Sequence, residues 1–207
     1  MRAAKEQVEP NRSEPRPLAL PGGLSRRRLL SFSPKLGRRV ILANYTQRQL
    51  WLALEANPQV QRFCERPRYL EGKQGRLIDF WVRHSGGQEE YWLVADDTED
   101  LPARLQGIEL RQIRAEQLRD WATPVANWAY IVAQLTTWRG WRNAMLEQRI
   151  MVLLGVAMTM EDVCACLTEH SAAEVEAAVF QLLVQGKVIC PDLARYPLGG
   201  RTVFQRA

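Results

Sequence analysis

One carboxylate stands inside an apolar run: Asp79, in Arg76-Leu77-Ile78-Asp79-Phe80-Trp81-Val82. The run reads as a β-strand, and a second follows in Tyr91-Trp92-Leu93-Val94-Ala95-Asp96. A carboxylate in an apolar strand is costly unless it is hydrogen bonded or ligated. Acidic groups on neighbouring strands can hold Mg²⁺ against a phosphate, provided several hard oxygens converge and a lysine stands by. Here the second strand has Asp96 at its end, but no acidic-x-Lys pair. The chemistry is therefore incomplete as written: Asp79 is present and its usual partners are not.

Other chemistry-bearing residues are few. The histidines are His84 and His170, and the cysteines Cys64, Cys164, Cys166 and Cys190, with no CxxC pair. Cys164 and Cys166 fall in a helical pattern that turns their side chains about 200° apart. A zinc site is not expected, and the thiols read as reduced and partly buried.

Charge is unevenly spread. Residues 1–39 carry ten Lys/Arg against three Glu, a net of +7, within a chain whose net charge is +5. The remainder is slightly acidic. A basic arm on a near-neutral body points to phosphate contacts, which give affinity without reading sequence. Arg26, Arg27, Arg28, Lys35, Arg38 and Arg39 are the candidate DNA contacts. No apolar run is long enough to span a membrane, and no secretory signal pattern opens the chain; a cytoplasmic location is expected.

The elements that must position these residues follow from pattern. Residues 1–31 hold four prolines and many charges, and read as a disordered arm. Residues 32–138 read as an α/β domain. It has a short strand at Arg39–Leu42 and a helix from Thr46 to Ala56 closed by Asn57-Pro58. Strands at Val60–Arg66, Arg68–Leu70, Leu77–Arg83, Glu90–Ala95 and Ile108–Ile113 follow. A short helix at Ala115–Asp120 and a longer one at Pro124–Trp138 complete it. Trp121, Trp128, Trp138 and Trp141 cluster here, which most often marks packing.

Arg139-Gly140 marks a boundary, and residues 139–207 change pattern. Helices are expected over Trp141–Leu154, from Thr159, and from a capping box at Ser171-Ala172-Ala173-Glu174 to Gln185 with Gly186 behind it. Strands at Lys187–Cys190 and Arg201–Phe204 close the chain. Three helices and a hairpin are the plan of a winged helix, an α+β unit. Its third helix shows Glu174, Glu176 and Gln181 but no Arg or Lys, so protein contact is favoured over base reading. Arg195 and Arg201 leave backbone contact by the loop open.

The order of motifs from Ser33 resembles the nuclease domain of TnsA, the endonuclease subunit of heteromeric bacterial transposases. The residues that carry the resemblance are Ser33-Pro34-Lys35-Leu36-Gly37-Arg38-Arg39, Leu54-Glu55-Ala56-Asn57-Pro58-Gln59-Val60, Arg66-Pro67, Ile78-Asp79-Phe80-Trp81-Val82 and Leu93-Val94-Ala95-Asp96. It implies a restriction-endonuclease-like α/β core followed by the winged-helix region. The departures fall on the catalytic positions. The family's helix Glu lands on Gln47. Its Glu-x-Lys lands on Leu93 and Ala95, or on Val94 and Asp96 in the other register. Only Asp79 matches.

The resemblance implies a DNA-binding or assembly subunit of a transposition complex with an inactive nuclease site. Its partners would be DNA, a DDE-type transposase and an AAA+ ATPase regulator. No cofactor is expected, and Mg²⁺ only if the nuclease site works. One alternative is an active endonuclease in which Asp96 or Asp97 supplements Asp79, with Glu55 in place of the helix Glu. Another is a winged-helix regulator.

Overall fold

The first helix begins where Asn44 accepts the Gln47 N–H at 2.8 Å, and ends at Asn57, ahead of Pro58. That helix, α1 (Tyr45–Ala56), turns Leu50, Trp51, Leu52 and Leu54 inward. In the computed structural model, residues 14–20, 28–72, 75–95, 99 and 101–207 are described. Ahead of α1 lies a hairpin, β1 (Leu29–Ser33) and β2 (Arg38–Leu42). The other elements are β3 (Val60–Glu65), β4 (Phe80–His84), β5 (Glu89–Val94), β6 (Arg104–Leu105), β7 (Ile108–Ile113), α2 (Ala115–Asp120) and α3 (Ala122–Thr137). They continue with α4 (Ala144–Leu153), β8 (Met158–Thr159), α5 (Met160–Cys166), α6 (Ala172–Val184), β9 (Val188–Ile189) and β10 (Val203–Arg206). The protein is thus mixed α/β, with six helices among the described residues.

The main sheet has five strands in the order β3-β4-β5-β7-β6, antiparallel except where β5 runs parallel to β7. Alternation sorts its two faces, as the period of a strand requires. Phe63, Phe80, Val82, Trp92 and Ile113 pack in the main core with α1 and α3. Cys64, Ile78, Trp81, Tyr91, Leu93 and Leu110 form a smaller cluster on the other side, edged by Leu70, Leu101 and Leu105.

The turn between β1 and β2 is bolted to the far end of α1. Ser33 Oγ donates to Glu55 Oε1, and Trp51 Nε1 donates to the same oxygen at 3.0 Å. Lys35 Nζ donates to the carbonyls of Leu54 and Asn57 at 2.7 and 2.6 Å, which closes the helix end that has no intrahelical donors left. Gly37 takes the positive φ of 64° that this turn needs.

The last six elements make a second unit. Ser171 and Glu174 form the capping box at the start of α6, and Gly186, with φ 69°, ends it. The strands β8-β10-β9 form a three-stranded antiparallel sheet, in which β8 was not anticipated from sequence. α3 joins this unit to the rest. Buried Asn127 donates to the carbonyls of Leu193 and Tyr196 at 2.7 and 2.8 Å, and accepts the Leu198 N–H at 2.8 Å. Tyr130 meets Phe180 edge-on at 6.1 Å. One apolar core runs from Val40 through to Phe204.

Two expectations change. The segment 14–20 belongs to the body: the Leu18 N–H donates to the Arg66 carbonyl at 2.9 Å, and Glu14 pairs with Arg62 and Arg83. Leu29–Ser31 are strand, so the expected arm of 1–31 contains structured residues; 1–13 and 21–27 lie outside the described residues. Arg68–Leu70 contribute only an isolated bridge, Tyr69 to Leu77, instead of a strand. Pro67 removes a donor there and Gly72 takes φ 55°, which stops the ladder. Among the described residues no helix is long and apolar enough to cross a membrane.

Candidate functional site

Asp79 sits just before β4, at the point where β3, β4 and β5 are all within hydrogen-bonding reach. Its N–H donates to the Trp92 carbonyl at 3.1 Å, and its carbonyl accepts the Arg66 N–H at 2.9 Å. Its carboxylate oxygen Oδ2 accepts the Val94 N–H at 2.9 Å. Gln47 reaches it from the first turn of α1, with Nε2 at 3.5 Å from Oδ1 and 3.4 Å from the Asp79 carbonyl. Asp79, Gln47, Leu93 and Val94 line one cavity of about 420 Å³. Residues 32 positions apart in sequence, and the end of the next strand, are thereby brought together.

The orientation of Gln47 follows from its backbone surroundings. Its Oε1 accepts the Ala43 N–H at 2.7 Å, a bond that resembles the back-reaching half of a capping box. The amide oxygen is therefore engaged, and the amide NH₂ faces Asp79. Gln47 complements a carboxylate; it does not present an oxygen to the cavity.

Two guanidinium groups also line the cavity, Arg66 and Arg76. Arg66 is buried at φ 49°, with Nε donating to the Leu18 carbonyl at 3.0 Å and Nη1 to the Ile41 carbonyl. Burial pushes it down while Glu65 pushes it up. Arg76 donates to the Val94 carbonyl and pairs with Glu99. Leu20 closes part of the mouth. Burial dominates the Asp79 carboxyl and pushes it up to about 6, against the opposing pull of the Val94 N–H, the Arg76 charge and Gln47. The sequence signals for the two arginines were slight. Arg66 is a charge at a strand end ahead of Pro67, and Arg76 is one flanking an apolar run.

A divalent cation fits this donor set poorly. Mg²⁺ requires several free hard oxygens. Asp79 has one oxygen facing an N–H and the other facing an NH₂, the Gln47 oxygen is engaged, and two cations stand nearby. Leu93, Val94 and Ala95, where the acidic and lysine positions would fall, are apolar, and Leu93 and Ala95 are buried. Asp96, Asp97 and Lys73 lie outside the described residues. Glu55 is held by Ser33, Trp51 and the Lys35 N–H, away from this cavity. Among the described residues no group of three His, Cys, Asp or Glu comes together that could hold a metal. Burial pushes the Cys64 thiol up to about 12, so it is an inert core thiol.

No family model and no curated protein matches the chain.

The candidate DNA contacts separate into three groups. Arg26 and Arg27 lie outside the described residues. Arg28 and Arg39 are exposed. Lys35 and Arg38 are engaged within the protein: Lys35 closes the end of α1, and Arg38 makes a two-point pair with buried Glu65 at 3.0 and 2.6 Å. Both have backbone or carboxylate partners that phosphate would have to displace. In the C-terminal unit, α3 lies along α6, where Tyr130 Oη donates to Glu176 Oε2 at 2.9 Å. The third helix is thereby covered on the side that bears Glu176 and Phe180.

Proposed function

We propose that this chain is a TnsA-like subunit of a DNA transposition complex that binds and assembles but does not cut. Its core would be restriction-endonuclease-like and its last unit a winged helix. The support for this reading is the convergence of Gln47, Asp79 and the end of β5 on one cavity. These are the positions at which the resemblance sets the helix Glu, the strand Asp and the Glu-x-Lys. Only one of them carries a carboxylate, and its neighbours satisfy it without a metal. The partners would be DNA, a DDE-type transposase and an AAA+ ATPase regulator. DNA would be held nonspecifically by the basic arm around Arg28. First-strand cleavage would be done elsewhere or omitted, which favours a cointegrate outcome.

Supercoiled plasmid incubated with the intact chain and Mg²⁺ or Mn²⁺ tests this. The expected result is retardation without nicking. Replacing Arg26, Arg27 and Arg28 together by Ala should lower the slope of log affinity against log salt by about 2–3. Nicking that Asp79→Ala abolishes would overturn the inactive reading in favour of an active endonuclease using Asp96 or Asp97. The winged-helix regulator is the weaker reading, because α6 carries Glu174, Glu176 and Gln181 outside the core and no Arg or Lys.

A further inference from the structure

A groove of about 630 Å³, larger than the cavity at Asp79, lies between the β1–β2 hairpin, α1 and α3. Its floor is apolar, with Trp51, Leu52, Ala129 and Val132. Leu30 stands at its side, 63% exposed. The α3 wall is unusual for a surface helix, since its sixteen residues include no charge, although Ala126, Tyr130, Ala133 and Thr137 are exposed. Surface helices ordinarily turn a charged face to water.

The charges around the groove are of one sign. Arg39 and Arg48 line it, and the Arg139 guanidinium stacks on Phe32 at 4.7 Å. No acidic residue lines it. None of the three guanidiniums has a carboxylate partner among the described residues. Unpaired cations around an apolar floor are complementary to an apolar segment bearing carboxylates. A phosphate backbone would use the cations and leave the floor empty.

The shape specifies how such a segment would lie. Leu30, Ser31 and Phe32 all line the groove, although consecutive strand residues point to opposite faces. The strand therefore presents its edge. β1 pairs only with β2, and its other edge has no backbone partner among the described residues. We infer that this groove is a docking site for an extended, acidic segment of a partner protein, which adds as a third strand to β1 and buries alternate apolar side chains against α1 and α3. This deepens the reading of the chain as an assembly subunit. It does not depend on DNA binding, so failure here leaves the plasmid result standing, and the reverse.

The probe is a short fluorescein-labelled peptide alternating Leu or Val with Glu, titrated by anisotropy into the full chain. Saturable binding is expected, weakened by salt, and absent for the same peptide with Lys in place of Glu. R39E/R48E should weaken it about tenfold or more. Ala133→Phe, at an exposed helical position that folding tolerates, should block the groove and do the same. N-methylation of alternate peptide amides should abolish binding if a strand is added. Equal binding of the Lys peptide, indifference to R39E/R48E, or tolerance of N-methylation would each overturn the proposal. So would a failure of the acidic peptide to bind combined with loss of duplex binding in R39E/R48E, which would assign these guanidiniums to phosphate.

Discussion

Asp79 carries an ionisable group where water is scarce. Its carboxyl stands at about 6 in the folded chain, against an ordinary value of 3.8. A carboxyl raised on folding favours the folded state while it is protonated, below its unfolded value. That contribution fades as pH rises through about 6. At pH 8 the fold therefore carries an unfavourable buried charge, only partly offset by the Val94 N–H. Asp79→Asn should raise stability at pH 8 by about 1–2 kcal/mol, and the gain should shrink towards pH 4. Thermal melts of both proteins across that range check it; an unchanged or lower melting temperature at pH 8 counts against the account. The apolar strand pattern located Asp79, and the resemblance located Gln47 by its distance from Asn57-Pro58. Sequence could not orient the Gln47 amide, because that is decided by the Ala43 N–H, a backbone group with no identity in the sequence. Nor could it bring in Arg66 and Arg76, whose directions depend on the carbonyls of Leu18, Ile41 and Val94.

Among the elements, the β1–β2 hairpin has work to do inside the fold. The side chains of Ser33, Lys35 and Arg38 fasten its turn and strand to α1 and β3. The lysine pays for its burial in acidity, since its ammonium is lowered to about 8 by desolvation, with Glu55 pulling the other way. Lys35→Met should leave DNA affinity unchanged and destabilise the chain by about 1–3 kcal/mol, through two helix-end carbonyls left without a donor. Urea unfolding beside plasmid retardation separates the two roles, and weaker DNA binding at unchanged stability would restore the phosphate role. β1 was hidden in the sequence. Leu29-Leu30-Ser31-Phe32-Ser33 follows an arginine run and precedes Pro34, so composition read as arm while the pairing with β2 made it strand. The helices were more legible: the capping box at Ser171 announces the start of α6, and α3 repeats its apolar face over several turns.

At the scale of the whole molecule, the expected boundary near Arg139-Gly140 is a turn, with φ 85° at Gly140, but not an end to packing. α3 packs on α1 on one side and on α6 on the other, and Asn127 ties the loop at Leu193, Tyr196 and Leu198 to it. Asn127→Ala would strip buried backbone groups of three partners and should cost about 2–4 kcal/mol. The shared core predicts that unfolding stays a single transition, with fluorescence and circular dichroism coinciding in urea; separate transitions would argue for independent halves. Such coupling is not legible in local pattern, because it joins residues about seventy positions apart.

The second sheet face limits which charges the Asp79 cavity can take. Leu93 lines that cavity yet is only 1% exposed, packed in the cluster with Ile78 and Tyr91. A glutamate there would put a charge among apolar neighbours, at a penalty of several kcal/mol before any ligand arrived. Replacing Gln47 by Glu would set two carboxylates against each other and take away the NH₂ that now faces Asp79. The cavity thus has room for one carboxyl, and its apolar and amide neighbours oppose a second.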